Sequence, residues 1–207
     1  MNSAKKTRSQ LKREAILAAA KTAFKADGVQ STSMDKLAQL AQVSKRTVYN
    51  HFATKEVLVM ELVSELWTKA LVEIDFEYKP ETSLHTQLAA LLKLEINLIA
   101  SAEYLDLSRV AFGHLFYAPE QLEAQLSRFA KQETTIHRWL EAAVADGKVM
   151  LEDIEVGNEQ LHSLIKGRCF WPQLLSMRPI LTASEIDTLA TQTAAFFLSH
   201  YQAKSPD

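Results

Sequence analysis

Cysteine is nearly absent from this chain: Cys169 is the only one in 207 residues. That excludes an intramolecular disulfide framework and any zinc site built on a cysteine cluster. Glycine and proline are scarce too, five of each, and the stretches between them are rich in Ala, Leu, Glu and Lys, which favours an all-helical protein. No apolar run approaches the roughly 18–20 residues of a membrane span, and Met1 to Lys12 is too polar for a signal peptide. The expected location is therefore cytoplasmic, with no membrane partner. Catalytic and cofactor signatures are missing as well: there is no G-x-S-x-G, no G-x-x-x-x-G-K-S/T and no G-x-G-x-x-G. The six histidines (His51, His85, His114, His137, His162, His200) form no H-x-x-x-H or H-E-x-x-H pair, so no metal ligand set is expected. Cys169 has no local feature to activate it and reads as a small buried hydrophobe. Neither a cofactor nor an enzymatic activity is expected.

What is present divides unevenly. Hydrophobic residues make up 47% of the chain, enough for a substantial core in one or two domains. Residues 1–60 hold 11 Lys and Arg against 4 Asp and Glu, a net +7, whereas the remainder carries −9. A basic head on an acidic body suggests that only the first part meets a polyanion. Charge alone is equally compatible with a solvated face.

Hydrophobic spacing supplies the helices. A basic tail leads into an amphipathic helix carrying Leu11, Ile16, Ala19, Ala23 and Phe24, ended by Asp27-Gly28, with Gly28 placed for a left-handed conformation. Thr32 and Asp35 form an S/T-x-x-D start signal before Met34, Leu37, Ala38 and Ala41. Ser44 caps a further short helix to about His51, with Val48 and Phe52 inward. Thr54 caps a long helix running towards Tyr78. Past Pro80, helices are expected at about 82–100, 103–116, 119–146, 154–177 and 183–203, about nine in all, with a bend near Trp171 where Pro172 falls.

Two short helices joined by about three residues, Gln39–Gln42 to Ser44–His51, make a helix-turn-helix. A short second helix started by Ser44 can enter the major groove, about 12 Å wide, with its first side chains facing base edges. Lys45 and Arg46 bring positive charge to that entry point. Thr47 is small enough for close approach, and Tyr49 and His51 add a hydroxyl and a ring N–H on faces that Val48 packing leaves open. Lys55 with the helix start behind Thr54 forms an anion site, and Thr32 and Ser33 offer another. Cations and helix starts aimed at one surface suit a phosphate backbone.

The run "TSMDKLAQLAQVSKRTVYNHFATKEVLVMELV" resembles the DNA-binding domain of TetR/AcrR-type transcriptional regulators. The likeness covers about residues 10–60 and is specific, because V-S…Y-x-H-F…K-E-x-L fixes many positions together. By position, the resemblance makes Thr32, Lys45, Tyr49, His51 and Lys55 phosphate contacts, and Ser44, Arg46, Thr47 and Asn50 candidates for reading bases. Two departures stand out. Gln42 occupies the turn position where the family usually has Gly, at a cost if the backbone there takes positive φ. Arg46 replaces a frequent Gly; it either binds a guanine edge in bidentate fashion or contacts phosphate.

For the body, the resemblance implies a helical bundle that dimerises and encloses an effector pocket. "SAEYLDLSRVAFGHLFYAPEQL" and "LIKGRCFWPQLL" resemble the AefR-type C-terminal domain. Two domains are therefore expected: a DNA-binding head over 1–60, and an effector-binding and dimerisation body over 61–207. Dimer-interface candidates on the last two helices are Leu164, Phe170, Trp171, Leu174, Leu175, Ile186, Leu189, Phe196, Phe197 and Tyr201. Pocket candidates are Trp67, Leu91, Leu94, Glu95, Leu98, Arg109, Phe112, His114, Phe116, Trp139 and Trp171. Any single one of these is also a reasonable core residue, and Glu95, Arg109 and His114 can equally satisfy one another.

The expected protein is an all-α homodimer binding double-stranded DNA at a pseudo-palindromic operator, a repressor released by a small-molecule effector. An activator or an effector-independent architectural binder shares the same features. An enzyme or carrier with an incidental basic head is the rival from another class.

Overall fold

The computed structural model describes residues 6–71, 74–115 and 133–203. Ten helices lie among them: α1 Arg8–Asp27, α2 Met34–Leu40, α3 Lys45–His51, α4 Lys55–Leu71, α5 Leu84–Ile99, α6 Ala102–Leu115, α7 Thr135–Ala145, α8 Ile154–Cys169, α9 Trp171–Leu174 and α10 Ala183–Tyr201. No named strand occurs among the described residues; one isolated bridge pairs Val149 with Gln202. The all-α class expected from composition is therefore observed. Two compact units form, Met1–Glu65 with Asp106–Pro119, and Leu66–Leu105 with Glu120–Asp207.

In the first unit the apolar stripe of α1 (Ile16, Leu17, Ala20, Ala23, Phe24) is buried with Leu37 and Ala38 of α2, Val48 of α3 and Leu58 and Leu62 of α4. Small alanines on α1 allow the short helices to approach closely. Each fully buried Leu, Ile or Val contributes roughly 1.5–3 kcal/mol. At the rim, Arg13 pairs with Glu61 at 2.7 Å and lies 5.3 Å from the Phe52 ring centroid, while Lys21 pairs with Glu65 at 2.8 Å. These contacts tie α1 along α4.

The second unit packs α5 along α10, with α8 against both and α7 and α9 on α8. Leu88, Leu91, Leu92 and Ile96 of α5 are fully buried, as are Ile165 of α8 and Ala194 of α10. Trp139 of α7 is 1% exposed and meets Tyr78 edge-on at 5.9 Å.

Several expected boundaries shift for local reasons. The helix expected over 119–146 is not continuous: Thr134 is extended (φ −77°, ψ 163°) and its hydroxyl caps a new helix at Thr135. The expected start at Pro119 lies outside the described residues. The helix expected over 154–177 stops at Cys169 and restarts as α9, with Pro172 in its first turn, where the missing N–H costs nothing. In α2 the cap is Ser33, whose side chain accepts from the Lys36 N–H at 3.1 Å. Thr32 instead donates its hydroxyl backwards to the Gly28 carbonyl at 2.9 Å.

Three helix ends close in the same way, with paired bonds from the two residues past the cap. They are Val43 to Ala38 with Gln42 to Gln39, Lys148 to Ala143 with Gly147 to Val144, and Met177 to Pro172 with Ser176 to Gln173. This closure requires a left-handed residue. Gly147 supplies it at φ 70°, but Gln42 does so at φ 53° and Ser176 at φ 57°. A side chain there costs about 1–2 kcal/mol, while glycine gives back roughly 0.5–1 kcal/mol through a more disordered unfolded chain. Gln42→Gly is accordingly expected to stabilise the protein by about 0.5–1 kcal/mol, seen as a melting temperature raised by ~1–4 °C. A lower melting temperature would show that Gln42 contributes contacts outweighing its strain.

Candidate nucleic-acid interface

Three successive short-range devices build α3. Gln42 turns the chain out of α2; Ser44 then caps α3, accepting from the Thr47 N–H at 3.1 Å and lying 2.8 Å from the Thr47 hydroxyl. Val48 at 0% and Phe52 at 2% exposure fix the inner side of the helix. With those two inside, Lys45, Arg46, Tyr49 and Asn50 are all exposed. Lys45 and Tyr49 are one turn apart, as are Arg46 and Asn50, so the outward surface is a compact patch of polar and cationic groups.

The cations within this patch differ. Lys45 reaches Asp35 in the first turn of α2 at 2.8 Å, and that hydrogen bond and charge hold its ammonium above the usual lysine range. Both side chains are more than half exposed, so the pair can exchange for another anion at little cost. Arg46 has no hydrogen-bond or ion-pair partner among the described residues. Lys55 is engaged inside the head: its Nζ donates to the carbonyls of Val29 at 2.9 Å and of Gln30 and Thr32 at 3.2 Å. His51 is half-buried, its ring tilted against Phe52 at 6.4 Å. Thr32 is 1% exposed, and the exposed hydroxyl at the start of α2 is that of Ser33. Asp35, Val29 and Gln30 were not among the sequence candidates, and Thr32 was one for its hydroxyl rather than for its carbonyl. Asp35 carried a signal only as a helix-start residue; Val29 and Gln30 carried none.

The candidate effector residues do not form one group. Leu91, Glu95 and Trp139 are buried in the second unit, Leu98 is half-buried, and Leu94 and Trp171 are exposed. Arg109 is exposed and pairs with Asp106, one turn before it, rather than with Glu95; Phe112 is half-buried. Glu95 faces His162 of α8 instead. The side chains of Trp67 and His114, and Phe116 as a whole, lie outside the described residues. Among the dimer candidates, Leu164, Leu175 and Phe196 are exposed at 38%, 64% and 66%, with Trp171 at 43%. Leu189 and Tyr201 are half-buried. Phe170, Leu174, Ile186 and Phe197 are buried within their own unit, so any mate would meet the first set and not these.

A capped short helix with an outward polar face, preceded by a second short helix and a tight turn, defines a helix-turn-helix DNA-binding protein. The chain matches the description "Bacterial regulatory proteins, tetR family" over residues 16–62, and "AefR-like transcriptional repressor, C-terminal domain" over residues 86–203. It belongs to the TetR family of transcriptional regulators, a family of DNA-binding proteins. A TetR family transcriptional regulator from Pseudomonas syringae pv. tomato is 36% identical, with 94% of this chain and 98% of that one covered at a TM-score of 0.72. A putative TetR-family regulator from Mesorhizobium loti shares the fold at 22% identity and a TM-score of 0.73, covering 96% and 100%. The uncharacterized HTH-type transcriptional regulator YhgD of Bacillus subtilis is 34% identical over 74 residues, which span 36% of this chain and 39% of that protein. No helix among the described residues is long and apolar enough to cross a membrane.

Proposed function

We propose that this protein is a cytoplasmic homodimeric repressor, acting by binding rather than catalysis, whose α3 helices enter successive major grooves of a pseudo-palindromic operator. The observation that carries this reading is the outward face of α3, where Arg46 and Asn50 stand exposed while Val48 anchors the opposite side. In this reading Arg46, Thr47, Asn50 and Ser44 face bases, and Lys45, Tyr49, His51 and Ser33 position the head on phosphate. Residues 1–60 act as the DNA-binding head and 61–207 as the dimerising, effector-binding body. Pairing through α8 and α10 is supported by Leu164 and Phe196, large apolar side chains left in solvent. A repressor sign is supported by the AefR-like repressor match in the body.

Release follows from population shift. A ligand bound by the body favours a dimer whose heads no longer match two half-sites about 34 Å apart. Its leverage equals its differential affinity for the two forms and no more.

Selection of bound sequences from random DNA tests the reading, with a pseudo-palindrome as the expected product. Affinity for that site is expected to fall steeply with salt: a dimer neutralising about six phosphates loses about 10³-fold between 50 and 200 mM. A flat salt response, or enrichment of no sequence, contradicts the proposal.

A further inference from the structure

Inside the second unit, Glu95 of α5 is 0% exposed, and no donor among the described residues forms a hydrogen bond with either carboxylate oxygen. Nε2 of His162 on α8 lies 3.3 Å from Oε2 but is not aligned as a hydrogen bond, and Nε2 is itself buried with no hydrogen-bond partner among the described residues. The other ring nitrogen, Nδ1, lies 2.9 Å from the Asn158 carbonyl, which can only accept. Nδ1 therefore carries a proton, and Nε2 holds one only if the ring is an imidazolium. Oε1 has no donor among the described residues either. Three further titratable groups border Glu95: Tyr104 of α6, Lys166 and Cys169. Burial pushes the Tyr104 hydroxyl up, lowers the Lys166 ammonium and raises the Cys169 thiol to about 12. Lys166 acts on Glu95 through charge, without reaching it as a donor.

A buried acceptor left unpaired is costly, and native cores retain few of them. Leu91 and Leu92, one turn before Glu95 on α5, and Ile165, one turn after His162 on α8, are all buried. Lys166 already interacts with this carboxylate through charge, so a second cation gains little here. What Oε1 lacks is one neutral hydrogen-bond donor on an apolar body.

We propose that Glu95, oriented by His162, is the polar anchor of the effector site, and that it selects uncharged apolar molecules bearing a hydroxyl donor, phenols or alcohols. The inference rests on the reading of the body as an effector-binding domain.

Full-length protein is titrated with 4-propylphenol, its methyl ether 4-propylanisole, and 4-propylbenzylamine, following melting temperature and heat of binding. The phenol is expected to bind saturably and about tenfold or more tighter than the ether, which lacks the donor, and tighter than the amine, which is cationic. Glu95→Leu is expected to abolish the preference for phenol over ether and to raise the melting temperature of the ligand-free protein, since an unpaired buried acceptor is removed. Glu95→Gln, closer in shape, keeps the test valid should the leucine variant fail to fold; it is expected to weaken the phenol about tenfold. Equal binding of phenol and ether, tighter binding of the amine, a preference that survives in both variants, or no binding of any probe overturns the proposal. Operator binding, measured in parallel, separates the two readings. Release by a compound indifferent to Glu95 leaves ligand release standing and removes this anchor. Phenol bound through Glu95 with operator affinity unchanged leaves the anchor standing and removes release.

Discussion

Arg46→Ala is expected to erase one base preference in each half-site of the operator and to lower affinity for the preferred sequence by about a hundredfold. A bidentate arginine on the O6 and N7 edge of guanine is worth roughly 1–3 kcal/mol of discrimination, and a two-fold dimer makes the contact twice. The geometry favours this role. Arg46 is in the first turn of α3, exposed, opposite Val48, and held by no partner among the described residues, so its fork is available without breaking an internal contact. Lys45 beside it already has an anionic partner in Asp35 at 2.8 Å. Competition binding against a set of single-base operator variants reads the outcome. With Arg46 replaced, variants at one position per half-site should converge in affinity while all others keep their ranking. A uniform loss at every site, with the salt slope falling by about 0.9 for each arginine, would instead make Arg46 a phosphate contact.

Most of α3 was legible because its determinants are local. A serine cap, a valine four residues on and Phe52 beyond it determine which side faces inward, and the remaining positions face out. The turn before it was legible only in part: the strain at Gln42 followed from a family position, while the matching left-handed Ser176 had no glycine to betray it. Adjacent hydroxyl residues defeated exact placement. Thr32 and Ser33 both fit a cap, and only the packing of Thr32 into the core decides for Ser33. At 134–135 a Thr-Thr pair begins a helix whose start apolar spacing alone does not show. The meeting of Glu95 with His162 lies beyond any such reading, since two helices distant in sequence must pack before the pair exists. Exposure within α8 and α10 likewise separates Leu164 and Phe196 from Ile186 and Phe197, which share one composition and one periodicity.

Lys55→Met is expected to destabilise the head more than it alters contact with DNA. The ammonium donates to the carbonyls of Val29, Gln30 and Thr32, which lie in the segment joining α1 to α2. Helix ends and turns leave carbonyls that need donors, and here one side chain from the start of α4 supplies them. Methionine keeps the apolar stem and removes the donors. Because the site is only partly buried, water recovers some of the loss, and a cost of about 2 kcal/mol follows from three bonds to a charged donor. For a chain of this size that lowers the melting temperature by ~4–8 °C. Operator affinity should drop across all sequences alike, since α2 and its partner α3 lose their placement together. The salt slope tells the two origins apart. A lysine that clamps the loop leaves the slope unchanged, whereas a lysine on phosphate takes about 0.9 from it per half-site. The expected result is a lower melting temperature with an unchanged slope. An unchanged melting temperature with a reduced slope would return Lys55 to the phosphate contacts its position first implied.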